Sequence, residues 1–115
     1  MLIKFETPNG HMEIVAETFF PATKKDMKKL KKAIVNQEDL QKVADGIGNL
    51  IEQLETFAND SKARMEIHQM SLLEEIKGTF KYKAIGRKIA FYHSEYLRAN
   101  EQIAALKENK EALDG

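Results

Sequence analysis

Three histidines are the side chains here whose ordinary pKa lies near neutrality, so metal binding and acid–base chemistry are weighed first. His11 falls in the N-terminal segment, and His68 and His93 stand far apart along the chain. None has a glutamate three residues before it, the spacing by which di-iron carboxylate bundles gather ligands on facing helices. No His-x-x-x-His pair occurs either. Glu66 and His68, like His93 and Glu95, are two residues apart, which turns the members of each pair to different sides of a helix. With no cysteine, thiol nucleophiles and cysteine-held zinc are excluded. The expectation is no metal and no cofactor.

Nucleophiles and phosphate loops fare no better. Ser61, Ser71 and Ser94 lack the strand–turn–helix setting that activates a serine in hydrolases. Asp45-Gly46-Ile47-Gly48 is glycine-rich, but it interrupts a helical seam with no strand before it, so it does not cradle phosphate. Glu74 and Glu75 read as a solvated helix face. No catalytic residue is assigned, and a non-enzymatic protein is expected.

Cations and aromatic rings are the stronger lead. Lys and Arg together equal Asp and Glu at 18 each, but the signs are segregated. Residues 24–32 hold six lysines against Asp26, residues 38–60 hold six acids against Lys42, and residues 77–88 hold five cations and no acid. Lys24, Lys25, Lys28, Lys81, Tyr82, Lys83, Arg87 and Lys88 combine positive charge with a stacking ring, the ingredients of nucleic-acid contact. Against that stands the ordinary reading, lysines that solvate amphipathic helices and lay their stems over apolar surface.

These residues must be positioned by something, and the 115-residue length allows one domain with a core of its own. The apolar share of 43% and charged share of 31% are those of a globular chain. Ile3 and Phe5 alternate with Lys4 and Glu6, and Met12, Ile14 and Ala16 with Glu13, Val15 and Glu17, on either side of Pro8-Asn9-Gly10, which predicts a β-hairpin within residues 1–21. Phe19-Phe20-Pro21 reads as a plug at the edge of a core.

Helix signals begin at Thr23, with Asp26 three residues on as in a capping box. Met27, Leu30 and Ile34 give an apolar stripe, and Asn36 with Glu38 and Asp39 marks a fresh start, so residues 23–58 are expected to be helical with a break near 36. Leu40, Val43, Ile47, Leu50, Leu54 and Phe57 then keep three–four spacing. Asn59-Asp60-Ser61 reads as a loop. Helix is expected again over 62–113, with an interruption possible at 78–86, where Thr79–Ile85 alternates as a strand would; helix is favoured there. Ile85, Ile89, Tyr92, Tyr96, Ala99, Ile103, Leu106 and Leu113 form the last seam, with Lys110 its polar member.

The expected fold is mainly α with a small β element (α+β): an N-terminal β-hairpin packed on long antiparallel helices, as a helical hairpin or small bundle. A turn near residue 60 would set residue 28 opposite residue 92 and merge the two basic blocks. Apolar faces too wide for two helices predict coiled-coil-like association, a homo-oligomer (dimer favoured) or a helical protein partner. Its candidate interface is Leu40, Val43, Ile47, Leu50, Leu54, Phe57, Ile89, Tyr92, Tyr96, Ile103 and Leu106. A helix-mediated assembly protein is the leading expectation, and a nucleic-acid-associated accessory protein using residues 24–32 and 77–88 is the alternative. No apolar run exceeds the four residues of Ile89–Tyr92, far short of a membrane span. Without a signal-peptide pattern or cysteine, a cytoplasmic location is expected.

Overall fold

The computed structural model describes residues 5–6, 12–13, 18–34 and 36–114. Its elements are β1 (Phe5–Glu6), β2 (Met12–Glu13), α1 (Lys24–Ala33), α2 (Gln37–Leu73) and α3 (Phe80–Asp114). The protein is mainly helical. β1 and β2 pair antiparallel, Phe5 with Glu13 and Glu6 with Met12. The hairpin expected within residues 1–21, packed on the helices, is not seen as such: most of it lies outside the described residues, which there include only this two-residue pairing. A two-residue turn at Asn9-Gly10 would pair Glu6 with Glu13, one residue away from the observed register.

Local chemistry sets the helix starts. Thr23 is extended and its hydroxyl accepts from the Asp26 N–H at 3.2 Å, so it caps α1. Asn36 caps α2 reciprocally: its Oδ1 accepts from the Asp39 N–H at 2.7 Å, and its Nδ2 donates to the Asp39 carboxylate at 3.1 Å. The break expected near residue 36 lies between Ala33 and Gln37. Residues 80–85 are the first turns of α3, and helix rather than strand is what forms there.

The loop expected at Asn59-Asp60-Ser61 does not exist, because α2 runs through it to Leu73. Asn, Asp and Ser each cost under about 0.7 kcal/mol in a helix, too little to stop one when neither Gly nor Pro occurs between Gly48 and Gly78. Asp60 also holds Arg64 one turn on at 3.0 Å, and Ser61 is buried in register with Ala58. The chain reverses at residues 74–79 instead. There the Thr79 N–H bonds the Ile76 carbonyl at 3.3 Å and Gly78 has φ +84°, the positive value that type II turns need at their third residue. Thr79 then caps α3, its hydroxyl accepting from the Tyr82 N–H at 3.2 Å. With the turn moved from 60 to 74–79, the reasoning that set residue 28 opposite residue 92 fails.

Two compact units result. One comprises Met1–Gln53 with Gln102–Gly115, the other Leu54–Glu101. The first holds the deeper interior: Phe20, Met27, Leu30, Val43, Ile47, Ile51, Ile103, Leu106 and Leu113 are all buried. Phe20 takes the plugging role expected of the Phe pair, while Phe19 is exposed. Within this unit Ala22, just before the α1 cap, is tied to Asn109 of α3. The Asn109 Oδ1 accepts from the Ala22 N–H at 2.8 Å, and its Nδ2 donates to the Ala22 carbonyl at 2.9 Å. The polar member of the α3 seam is therefore the buried Asn109, not the exposed Lys110.

Gly48 and Gly86, inside helices, differ from Gly78 in the turn. A methyl group at Gly86 would meet nothing within 4 Å, and one at Gly48 would touch only Lys110 Nζ at 3.8 Å, an ordinary contact. Gly48 therefore does not serve close approach of another helix. Gly86→Ala should raise stability by about 0.5–1 kcal/mol. Gly78→Ala should lower it by about 1–2 kcal/mol, because a side chain is strained at that φ. Urea denaturation of the two variants reads the opposite signs directly.

Candidate functional site

The Leu54–Glu101 unit is where the surface departs from an ordinary one. Its buried residues are Ala58, Ser61 and Ala99, all small, while Tyr92, Tyr96, Met65, His68 and Leu72 are half-buried. Of the large apolar side chains exposed among the described residues, all but Phe19 belong to this unit. Two antiparallel helices bury one stripe each, and the rest of a wide apolar face stays in water. On α2, Ile67, Met70 and Leu73 follow each other at spacings of three, and Met70 and Leu73 line an open cleft with Ser71 and Glu74. Ile76 in the turn and Phe80 at the start of α3 continue the exposure. Leu73 is 87% and Phe80 83% exposed. The candidate interface named from the sequence does not include Leu73 or Met70. The signal that points to them is three apolar residues at a spacing of three, set apart from the Leu54–Ala58–Met65–Leu72 stripe.

A second cluster lies further along the same hairpin. The His68 ring stacks on Tyr92 with centroids 5.6 Å apart and planes 11° from parallel. Arg64, one turn before His68, lies 6.0 Å from the Tyr92 ring centre, and Phe91 meets Tyr92 edge-on at 5.3 Å. Phe57, Asp60, Ser61 and Glu95 complete a shallow groove around them. Hydrogen bonding to the Asp60 carboxylate first, and to the Tyr92 hydroxyl second, holds the Arg64 pKa above its ordinary value. Both partners of the Asp60–Arg64 pair are more than half exposed, so the pair orients the arginine rather than stabilising the fold. His68 thus serves as a stacking partner, and His93 points to solvent.

The expected interface residues divide by burial. Val43, Ile47, Ile103 and Leu106 are interior to a single chain. Leu40, Leu50, Leu54, Ile89, Tyr92 and Tyr96 are half-buried, and Phe57 is exposed. The basic residues fall in two units: Lys24, Lys25 and Lys28 in the first, Lys81, Tyr82, Lys83, Arg87 and Lys88 in the second. Lys81 reaches back across the turn to Glu75 at 3.2 Å. In the first unit, Lys24, Lys28 and Lys31 border Glu108, Asn109 and Ala112 of α3. Among the described residues no helix is long and apolar enough to cross a membrane. Comparison with protein families, with curated proteins and with solved structures gives no match.

Proposed function

We propose that this protein is a non-enzymatic assembly protein that associates through its helical hairpin, with a second copy of itself as partner. One observation carries the reading: the Leu54–Glu101 unit buries only small side chains and leaves Ile67, Met70, Leu73, Ile76 and Phe80 in water. Apolar patches of this kind mark interaction surfaces. The rim favours a second copy. With Glu75 and Lys81 already paired within the chain, Glu74, Lys77 and Lys83 remain exposed at the rim, so a two-fold partner can set an acid against lysines on both sides. The interface expected from the sequence is thereby moved from the seam interior to the outer ridge and turn of the hairpin.

Light scattering on the purified protein over micromolar concentrations tests it, with a dimer expected. Leu73→Glu combined with Phe80→Glu should give a monomer with unchanged helical circular dichroism. Burying a Leu or Phe contributes about 1.5–3 kcal/mol, so each change weakens association by about tenfold or more. A folded wild-type monomer at high micromolar concentration would overturn self-association.

A further inference from the structure

α1 presents a surface that self-association does not use. Its ten residues include lysines at 24, 25, 28, 29, 31 and 32, and all six are exposed. Met27 and Leu30, the apolar members, are turned into the core. At 3.6 residues per turn the lysines sweep roughly 160° of the helix circumference over about 12 Å of its length. Among the described residues, no ion pair within 4 Å involves Lys24, Lys25, Lys28, Lys29 or Lys32. Lys24 with Lys28, Lys25 with Lys29, and Lys28 with Lys32 are like charges one turn apart, an arrangement that destabilises a helix. A polyanion laid along the helix relieves this repulsion.

We infer that the outward face of α1 docks the phosphate backbone of nucleic acid without reading sequence. The inference stands apart from the assembly reading and needs α1 alone, not residues 77–88. Two observations favour nucleic acid over an anionic lipid surface. A helix that lies on a membrane needs its apolar face free to enter the headgroup layer, and Met27 and Leu30 are not free. Phe19, exposed five residues before the helix, offers a ring on which an unpaired base can stack. The lysines engage duplex and single strands alike, while Phe19 engages single strands only.

Fluorescence anisotropy with a short mixed-sequence DNA, single-stranded and duplex, over a salt series tests the inference on the full chain. Both forms should bind at low salt. Lys25→Gln, Lys29→Gln and Lys32→Gln together should weaken both more than about tenfold and reduce the salt slope by about 2–3, since each neutralised phosphate releases a counterion. The same three positions changed to Arg should bind as the wild type. Glutamine is a good helix former, and unchanged circular dichroism confirms a folded variant. Phe19→Ala should weaken single-strand binding alone, by about fivefold or more. Absence of salt-sensitive binding, an unaffected glutamine variant, or tighter binding to phosphatidylserine vesicles than to either DNA form would overturn the inference. So would an equal loss of slope on changing Lys83, Arg87 and Lys88 to Gln.

Discussion

Truncating Leu106 to alanine is expected to cost about 2–5 kcal/mol, as is Ile47→Ala. Both side chains have 0% relative exposure, so each truncation loses its whole transfer free energy and leaves a cavity. Ordinary domains hold about 5–15 kcal/mol in all, so one such change removes a large part of the margin. Leu50→Ala and Leu54→Ala, at half-buried positions of the same α2 seam, should cost less than about 2 kcal/mol each, because water can fill the space. Urea denaturation of the four variants ranks them. If Leu50 and Leu106 cost the same, the interior is not where the burial pattern puts it.

Asn109→Leu is expected to cost about 1–3 kcal/mol although it adds apolar surface at a site 6% exposed. It strands both polar groups of Ala22, and part of that loss is recovered because Ala22 is only half-buried and water can reach it. Asn109→Asp gives the sharper test. A protonated carboxyl can still accept from the Ala22 N–H and donate to its carbonyl, whereas a carboxylate there repels the carbonyl and loses hydration. Burial and that carbonyl raise the new group's pKa in the folded state above its unfolded value. The bond it donates therefore contributes fully below the unfolded pKa and is lost as pH rises through the folded one. Stability of this variant relative to wild type should fall from acid toward neutral pH, while that of Asn109→Leu should change by a constant amount. A pH-independent difference for both would mean that the donor half of the clamp contributes nothing.

Much of the helical frame was legible because its signals are local. Thr23 and Asn36 are short polar side chains at the start of apolar periodicity, and each accepts the backbone N–H three residues on. The spacing of Ala99, Ile103, Leu106 and Leu113 named the buried face of α3 correctly. The continuity of α2 through 59–61 was not legible: three weak helix formers look like punctuation, and only the Asp60–Arg64 pair and the burial of Ser61 reveal otherwise. The true turn was hidden because the period-two run after Gly78 drew attention to strand rather than to Thr79 as a cap. Pairing partners depend on where the chain reverses, so that one displacement removed the argument that set residue 28 opposite residue 92. Periodicity also gives the width of an apolar face without saying what covers it. Val43 and Ile47 are covered by their own chain, while Ile67 and Leu73 are left exposed.

The amide of Asn109 grips one peptide unit by its N–H and its carbonyl, and never by the methyl group of Ala22. Recognition of this kind is blind to the identity of the residue it holds. Position 22 can accept any side chain that space allows, with proline excluded for want of an N–H, while position 109 needs a donor and an acceptor side by side at that reach. The two ends of the contact therefore tolerate substitution very unequally, and drift at 22 leaves no compensating trace at 109.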